Sequence, residues 1–192
     1  FYNHPARNMT VIGVTGTDGK TTTANLIYNV LIAAGLPVGI ISTVNAVIGD
    51  EVVDTGFHVT TPEAPDVQRY LSRMRAAGLS HVVLESTSHG LAQHRVTGCE
   101  FDIGVVTNIT HEHLDYHGSY EEYRAAKARL FQMLAQSAVK ESGPRKFAVL
   151  NRDDVSYEYL RGIANVAHTS YGFGPDADFG VEDVRYTPEG IQ

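Results

Sequence analysis

Short apolar runs alternate along the chain with longer stretches of helical spacing. Residues 10–14, 37–44, 81–84, 101–107 and 146–150 are runs of Val, Ile, Leu and Ala that read as buried strands. Between them, residues 20–34 carry Leu26, Val30 and Ala33 at spacings of four and three, which predicts a helix with those side chains toward the core. Gly35 and Pro37 close it. A second helix is expected from Pro62 to about Ala77, stopped by Gly78. Residues 119–136 place Tyr123, Ala126, Leu130 and Leu134 on one face of a third, and 155–163 form a fourth. Residues 46–48 and 52–53 flank Gly49-Asp50, a hairpin signal.

Strands alternating with helices imply parallel pairing, and so an α/β, doubly wound, mostly parallel sheet. Residues 10–164 carry that alternation, and 165–192 read as a smaller β-rich appendage of short strands and turns. In such sheets ligands bind at the carboxyl ends of the strands. Those ends coincide here with polar clusters at 15–20, 85–88, 108–113 and 151–154.

Composition removes several alternatives. Lys and Arg number 15 against 22 Asp and Glu, a formal charge of −7, so there is no general basic field for nucleic acid. Cys99 is the single cysteine, which excludes an internal disulfide and a cysteine zinc cluster, suits a reducing cytoplasm and reads as a core residue. No run approaches the ~18 apolar residues of a membrane-spanning helix. The opening Phe1-Tyr2-Asn3-His4-Pro5 lacks a Met and reads as the start of an excised piece, with residues 1–9 a linker.

The strongest chemical signal is Gly13-Val14-Thr15-Gly16-Thr17-Asp18-Gly19-Lys20-Thr21-Thr22-Thr23, a strand running through a glycine turn into a helix. Glycines let backbone N–H groups turn inward around phosphate oxygens, and the helix start adds partial positive charge. Lys20 is placed to reach the β and γ phosphates, and the Thr21 hydroxyl to hold Mg2+. The strict phosphate-loop pattern fails at one position, where Val14 stands for Gly.

Glu85 ends an apolar strand, where a carboxylate calls for a cation. A Mg2+ beside a triphosphate would supply it. Residues 107–118 hold three histidines among them, His111, His113 and His117. Alone, His111, His113 and Asp115 resemble the start of a di-zinc hydrolase motif, broken at its last ligand by Tyr116. His111 and His117 read as surface or capping residues, and Lys127 alone reads as a solvated charge on a helix. A P-loop binding module without catalysis is the other alternative.

Taken in order, these segments resemble the central ATPase domain of the Mur ligases, and within that family the tripeptide synthetases, which add the third peptide residue in peptidoglycan synthesis. The matching stretches are Gly16 to Thr22, Thr60-Thr61-Pro62, Glu85 to Arg95, Thr107 to Gly118, Tyr123 to Phe131, and Asn151-Arg152-Asp153-Asp154. The resemblance implies that Gly16, Thr17, Asp18, Gly19, Lys20, Thr21 and Thr22 bind ATP phosphates, with Asn151 near the adenine. It implies two Mg2+ sites, one on Thr21 and Glu85, the other on His113 and on Lys127 carbamylated by CO2. It makes Thr60, Thr61, Thr87, Gln93 and Arg95 contacts to UDP-N-acetylmuramoyl-L-alanyl-D-glutamate, the partner of an incoming amino acid. Departures are Thr87 for the usual Ser, Glu112 for Asp, Ser86 for an apolar residue, and Val59 before the Thr pair. The implied reaction passes through an acyl phosphate. Since the family's first domain holds the uridine, and its third binds the amino acid and closes over the nucleotide, these 192 residues alone are expected to bind nucleotide weakly at best and not to ligate.

Overall fold

The computed structural model describes residues 2–55, 60–112, 114–141, 143–181, 183–187 and 190–191. After a 3₁₀ turn at Pro5–Asn8, the chain forms β1 (Thr10–Thr15), α1 (Lys20–Ala33), β2 (Val38–Ile41), β3 (Asn45–Ile48), β4 (Glu51–Asp54) and α2 (Ala64–Ala76). Then come β5 (His81–Glu85), α3 (Ser88–Ala92), β6 (Ile103–Val106), α4 (Leu114–His117), α5 (Tyr120–Gln136), β7 (Phe147–Asn151) and α6 (Tyr157–Ala164). The last elements are β8 (Ala167–Gly172), β9 (Phe179–Gly180), β10 (Tyr186–Thr187) and β11 (Gly190–Ile191).

The main sheet has the order β4-β3-β2-β5-β1-β6-β7-β8-β9. All neighbours from β2 to β9 pair in parallel, and the β2-β3-β4 end is antiparallel. This is the expected α/β class. The segment from 165, expected as an appendage, adds β8 and β9 to the main sheet, and only β10 and β11 form a separate ribbon. β1 leads to β2 on one side while β5 leads across β1 to β6 on the other. The loops therefore part at the carboxyl ends of β1, β5 and β6, which is where a crevice opens in such sheets.

Two cores flank the sheet unequally. The larger packs Val67, Tyr70, Leu71 and Met74 of α2, Tyr123, Leu130, Phe131 and Leu134 of α5, and Leu160 of α6 against one face. The smaller holds Ile12, Val14, Val38, Ile40 and Val83 against Ala24 and the partly buried Ile27, Tyr28 and Leu31 of α1. This corrects the expected face of α1: Leu26 and Val30 are 61% and 66% exposed. The helix is apolar around its girth, so spacing alone does not pick the stripe that meets the sheet. The second helix also starts later than expected. Glu63 is its N-cap and Pro65, not Pro62, lies in its first turn. Ser119 caps α5 as its side chain accepts from the Glu122 amide.

Below the sheet, at the end away from the crevice, Asp102 is fully buried. Its carboxylate accepts from the Val11 amide at 2.8 Å and pairs with Lys140 and, at 2.9 Å, with Lys146. Cys99 is buried as expected, and burial pushes its thiol up to about 12.

Candidate active site

The phosphate loop follows β1, the strand between β5 and β6. Gly16 has φ +153, and a Cβ there would lie 1.8 Å from the Thr107 hydroxyl, so only glycine lets the loop lie against β6. The loop is tied to that strand's exit. The Thr17 amide donates to Asn108 O, the Asp18 amide to Asn108 Oδ1, and the Thr107 hydroxyl to Asp18 O. Gly19, at φ +74, turns the chain into α1 with no side-chain cap. The first amides of α1 therefore have no acceptor within their own helix, the arrangement that suits an anion. Lys20 folds back to donate to Thr17 O at 2.7 Å.

Glu85 ends β5 and is buried. The Thr21 hydroxyl lies 3.0 Å from both of its carboxylate oxygens. The Thr43 amide and hydroxyl reach the Oε2 atom at 3.2 and 3.4 Å. Thr43 was not legible as a site residue. It lies in the turn after β2, shaped by Ser42, whose hydroxyl donates to Asn45 O and accepts from the Val44 and Asn45 amides. No short motif marks such a turn, although a polar Ser-Thr pair at the carboxyl end of a buried strand is a usable signal.

Lys127, expected from composition to be solvated, is buried on α5. Its ammonium donates to Gly16 O and stands 4.5 Å above the Tyr123 ring. Burial first, then the neighbouring charge of Lys20, lowers its pKa to about 7. Tyr123 shares a hydrogen bond of 3.1 Å with the Thr17 hydroxyl, and burial pushes its phenol up to about 12. Lys20, Thr21, Thr43, Thr60, Glu85, Thr87, Ser88, His89, Tyr123 and Lys127 line one cavity of about 300 Å³. Thr21 and Lys20 of the loop, Glu85 and Lys127 are thus brought together. His113 and Val59 lie outside the described residues.

The Thr60, Thr61 and Thr87 hydroxyls cluster at the cavity's rim. Those of Thr60 and Thr87 are 2.7 Å apart, and the Thr87 hydroxyl caps α3 by accepting from the Gly90 amide. The Thr61 hydroxyl is fully buried and committed, donating to Glu85 O and accepting from the Thr87 amide at 3.0 Å. It fastens the segment before α2 to the end of β5. Gly90 is required there, since a Cβ would come within 2.6 Å of Thr61. Gln93 and Arg95 stand outside the cavity lining. Arg95 donates to Thr61 O and Gln93 Oε1, both at 2.8 Å, and Gln93 donates to the Tyr116 hydroxyl.

The remaining expected residues are dispersed. Thr22 points outward from α1. Asn151 ends β7, where its amide donates to Thr107 O and its Oδ1 atom accepts from the Asp153 amide. His111 is exposed and stacks on Tyr120, and Asp115 is exposed. His117 corrects the reading as a surface histidine: it is buried against the rings of His89, Tyr116 and Tyr123. Among the described residues no three His, Cys, Asp or Glu side chains gather as a metal cluster; His113, one of the three residues of the di-zinc alternative, lies outside them. Among them, too, no helix is long and apolar enough to cross a membrane.

The family model described as Mur ligase middle domain matches residues 14–192. UDP-N-acetylmuramyl-tripeptide synthetase of Roseiflexus sp. (strain RS-1) is 45% identical over 100% of this chain and 39% of its own length. UDP-N-acetylmuramoyl-L-alanyl-D-glutamate--2,6-diaminopimelate ligase of Geobacter metallireducens is 41% identical over 100% of this chain and 37% of that protein. A solved 2,6-diaminopimelate ligase of the same description superposes with a TM-score of 0.81 at 31% identity, covering 95% of this chain and 36% of that one. MurF of Thermotoga maritima in complex with ADP, at 22% identity, shares the fold with a TM-score of 0.65, over 98% of this chain and 40% of its own. The chain spans about two fifths of the length of the curated relatives it matches. With a phosphate loop, a buried carboxylate and a buried lysine meeting above a parallel sheet, and a family match over nearly the whole length, the chain belongs to the Mur ligase family through its middle domain.

Proposed function

We propose that this chain is the ATP-binding centre of a ligase that joins the third amino acid to UDP-N-acetylmuramoyl-L-alanyl-D-glutamate. One observation carries the reading: Lys20, Thr21, Glu85 and Lys127 line the same cavity as Thr60 and Thr87. Phosphate-binding and acceptor-side groups thus open into one space. The choice of step is supported by the names of the relatives at 45% and 41% identity, and by the Thr60-Thr61-Pro62 and His89-to-Arg95 segments.

The donor set fits Mg2+. Glu85 and Thr21 offer hard oxygen ligands at one point, and Thr21 need only release its hydrogen bond to turn an oxygen toward a cation. A bound Mg2+ would supply positive charge to the phosphate oxygens. A second would rest on His113 and Lys127. Lys127 suits that role as a carbamate, because only an unprotonated amine adds CO2 and a pKa of about 7 leaves a large neutral fraction at neutral pH. The product carries a negative charge in place of a positive one.

The chain's own groups then act as a fixed frame. Lys20 leaves Thr17 O for the β and γ phosphates, and the loop and α1 amides stabilise charge that builds on the transferred phosphoryl group. Thr60 and Thr87 orient the acceptor, whose terminal carboxylate oxygen takes the γ-phosphoryl as ADP leaves. The amino acid's amine attacks the acyl carbon of the resulting acyl phosphate, phosphate departs, and the amine loses its proton. The uridine and the amino acid are held by parts of the longer enzyme.

Calorimetric titration with ATP, with and without Mg2+, tests the reading. Binding is expected to need Mg2+ and to weaken at least tenfold in Glu85→Gln and in Lys20→Ala. Nucleotide binding indifferent to Mg2+ and to both substitutions would overturn it.

A further inference from the structure

Glu63 is the N-cap of α2, yet its carboxylate caps nothing: it makes no side-chain hydrogen bond to the helix it begins. Ser, Thr, Asp and Asn are the residues suited to that position, and Glu is not among them. The Glu63 carboxylate instead reaches the Arg95 guanidinium, at 2.9 Å from Nη2.

The two partners are held very differently. The Arg95 side chain is 14% exposed and fixed without Glu63, by Nη1 on Thr61 O and Nε on Gln93 Oε1. The Glu63 side chain is 60% exposed. Arg95 is therefore a preset fork with one arm toward solvent, and Glu63 is a loosely held anion on that arm. The fork sits on the Thr61 carbonyl, next to the Thr60 and Thr87 hydroxyls, which share a 2.7 Å bond and line the cavity. The open arm is thus held one residue along the chain from Thr60, which lines the cavity.

We propose that Glu63 is an internal occupant of an anion seat on Arg95, displaced when the acidic acceptor binds. This rests on the acceptor assignment above and deepens it by naming a residue that sets affinity. A carboxylate or phosphate of the acceptor exchanges one ion pair for another, whereas an uncharged analogue leaves Glu63 in place. The exchange keeps Arg95 neutralised and oriented while the seat is empty, and it moderates how tightly the acceptor is retained.

The test is a titration of the longer enzyme, which also holds the uridine, with UDP-N-acetylmuramoyl-L-alanyl-D-glutamate, followed by the NMR shift of the Arg95 Nε–H group, in wild type and in Glu63→Gln. Glu63→Gln should bind about two- to fivefold more tightly, the range that an exposed ion pair sets. Its melting temperature should stay at the wild-type value, because the carboxylate supports no helix bond. Unchanged or weaker binding in Glu63→Gln would show that Glu63 orients Arg95, and would overturn the proposal. If the Arg95 signal stays still in both proteins while Mg2+-dependent ATP binding holds, the anion seat is wrong and the nucleotide site stands. If ATP binding fails as well, the functional reading falls with it.

Discussion

Two buried lysines lie at opposite ends of the sheet, and their surroundings differ in one respect. Lys140 donates to Met9 O and pairs with Asp102, which also receives Lys146 and the Val11 amide. Lys127 donates to Gly16 O and sits over the Tyr123 ring, and the described residues give it no ion pair. Burial lowers the pKa of both. At Lys140 the hydrogen-bonded Asp102 works against that shift, with Lys146 a smaller influence in the lowering direction; at Lys127 the charge of Lys20 adds to it, and Glu112 and Asp18 oppose it more weakly. A buried amine with a carboxylate is a structural tie. One without a hydrogen-bonded carboxylate is kept in a state that costs folding free energy, a feature concentrated at sites with chemistry to perform.

The comparison breaks most visibly at Asp102. Asp102→Ala removes the shared carboxylate and leaves Lys140 and Lys146 without it, and it is expected to lower stability by about 3–5 kcal/mol in urea unfolding. A loss under 1 kcal/mol would show that the cluster is incidental.

At Lys127 the sign reverses. Lys127→Met should stabilise the chain at pH 6 by roughly 2–4 kcal/mol, while abolishing any carbamate. The folded pKa, about 7, lies below the ordinary 10.5. Below 7 both states are protonated and the folded state carries the whole penalty. From 7 to 10.5 the unfolded chain binds the extra proton, so wild-type stability climbs with pH. The gap between wild type and Lys127→Met should therefore close as pH rises toward 10.5. Urea unfolding of both proteins across that range checks it, and a gap that stays constant contradicts it.

The smallest effect sharpens the picture of what holds Lys127. Tyr123→Phe keeps the ring under the ammonium and loses the hydroxyl that bonds Thr17, so a cost of about 0.5–1.5 kcal/mol is expected in the same assay. A larger loss would mean that the hydroxyl anchors the phosphate loop.

The difference between the two lysines also marks what a sequence reveals. Strands such as β1 and β5 are legible because burial on both faces demands unbroken apolar runs. The phosphate loop is legible because its glycines and Lys20 answer a local geometric need. Lys127 is not, since the same helical spacing serves a solvated lysine, and only the family resemblance singled it out. Thr43 stayed hidden because its role depends on β2 and β5 lying side by side, a fact of topology. The face of α1 was misread because apolar residues such as Leu26 and Val30 also stand on its exposed side.

β1 bears the phosphate loop, and both of its neighbours, β5 and β6, are made much later in the chain. Pairings so distant in sequence close slowly. The loop's rear wall, Thr107 and Asn108, arrives only with the exit of β6. The motif most easily recognised in the sequence is therefore not locally complete: its backbone is fixed only once residues about 90 positions further along the chain have joined it.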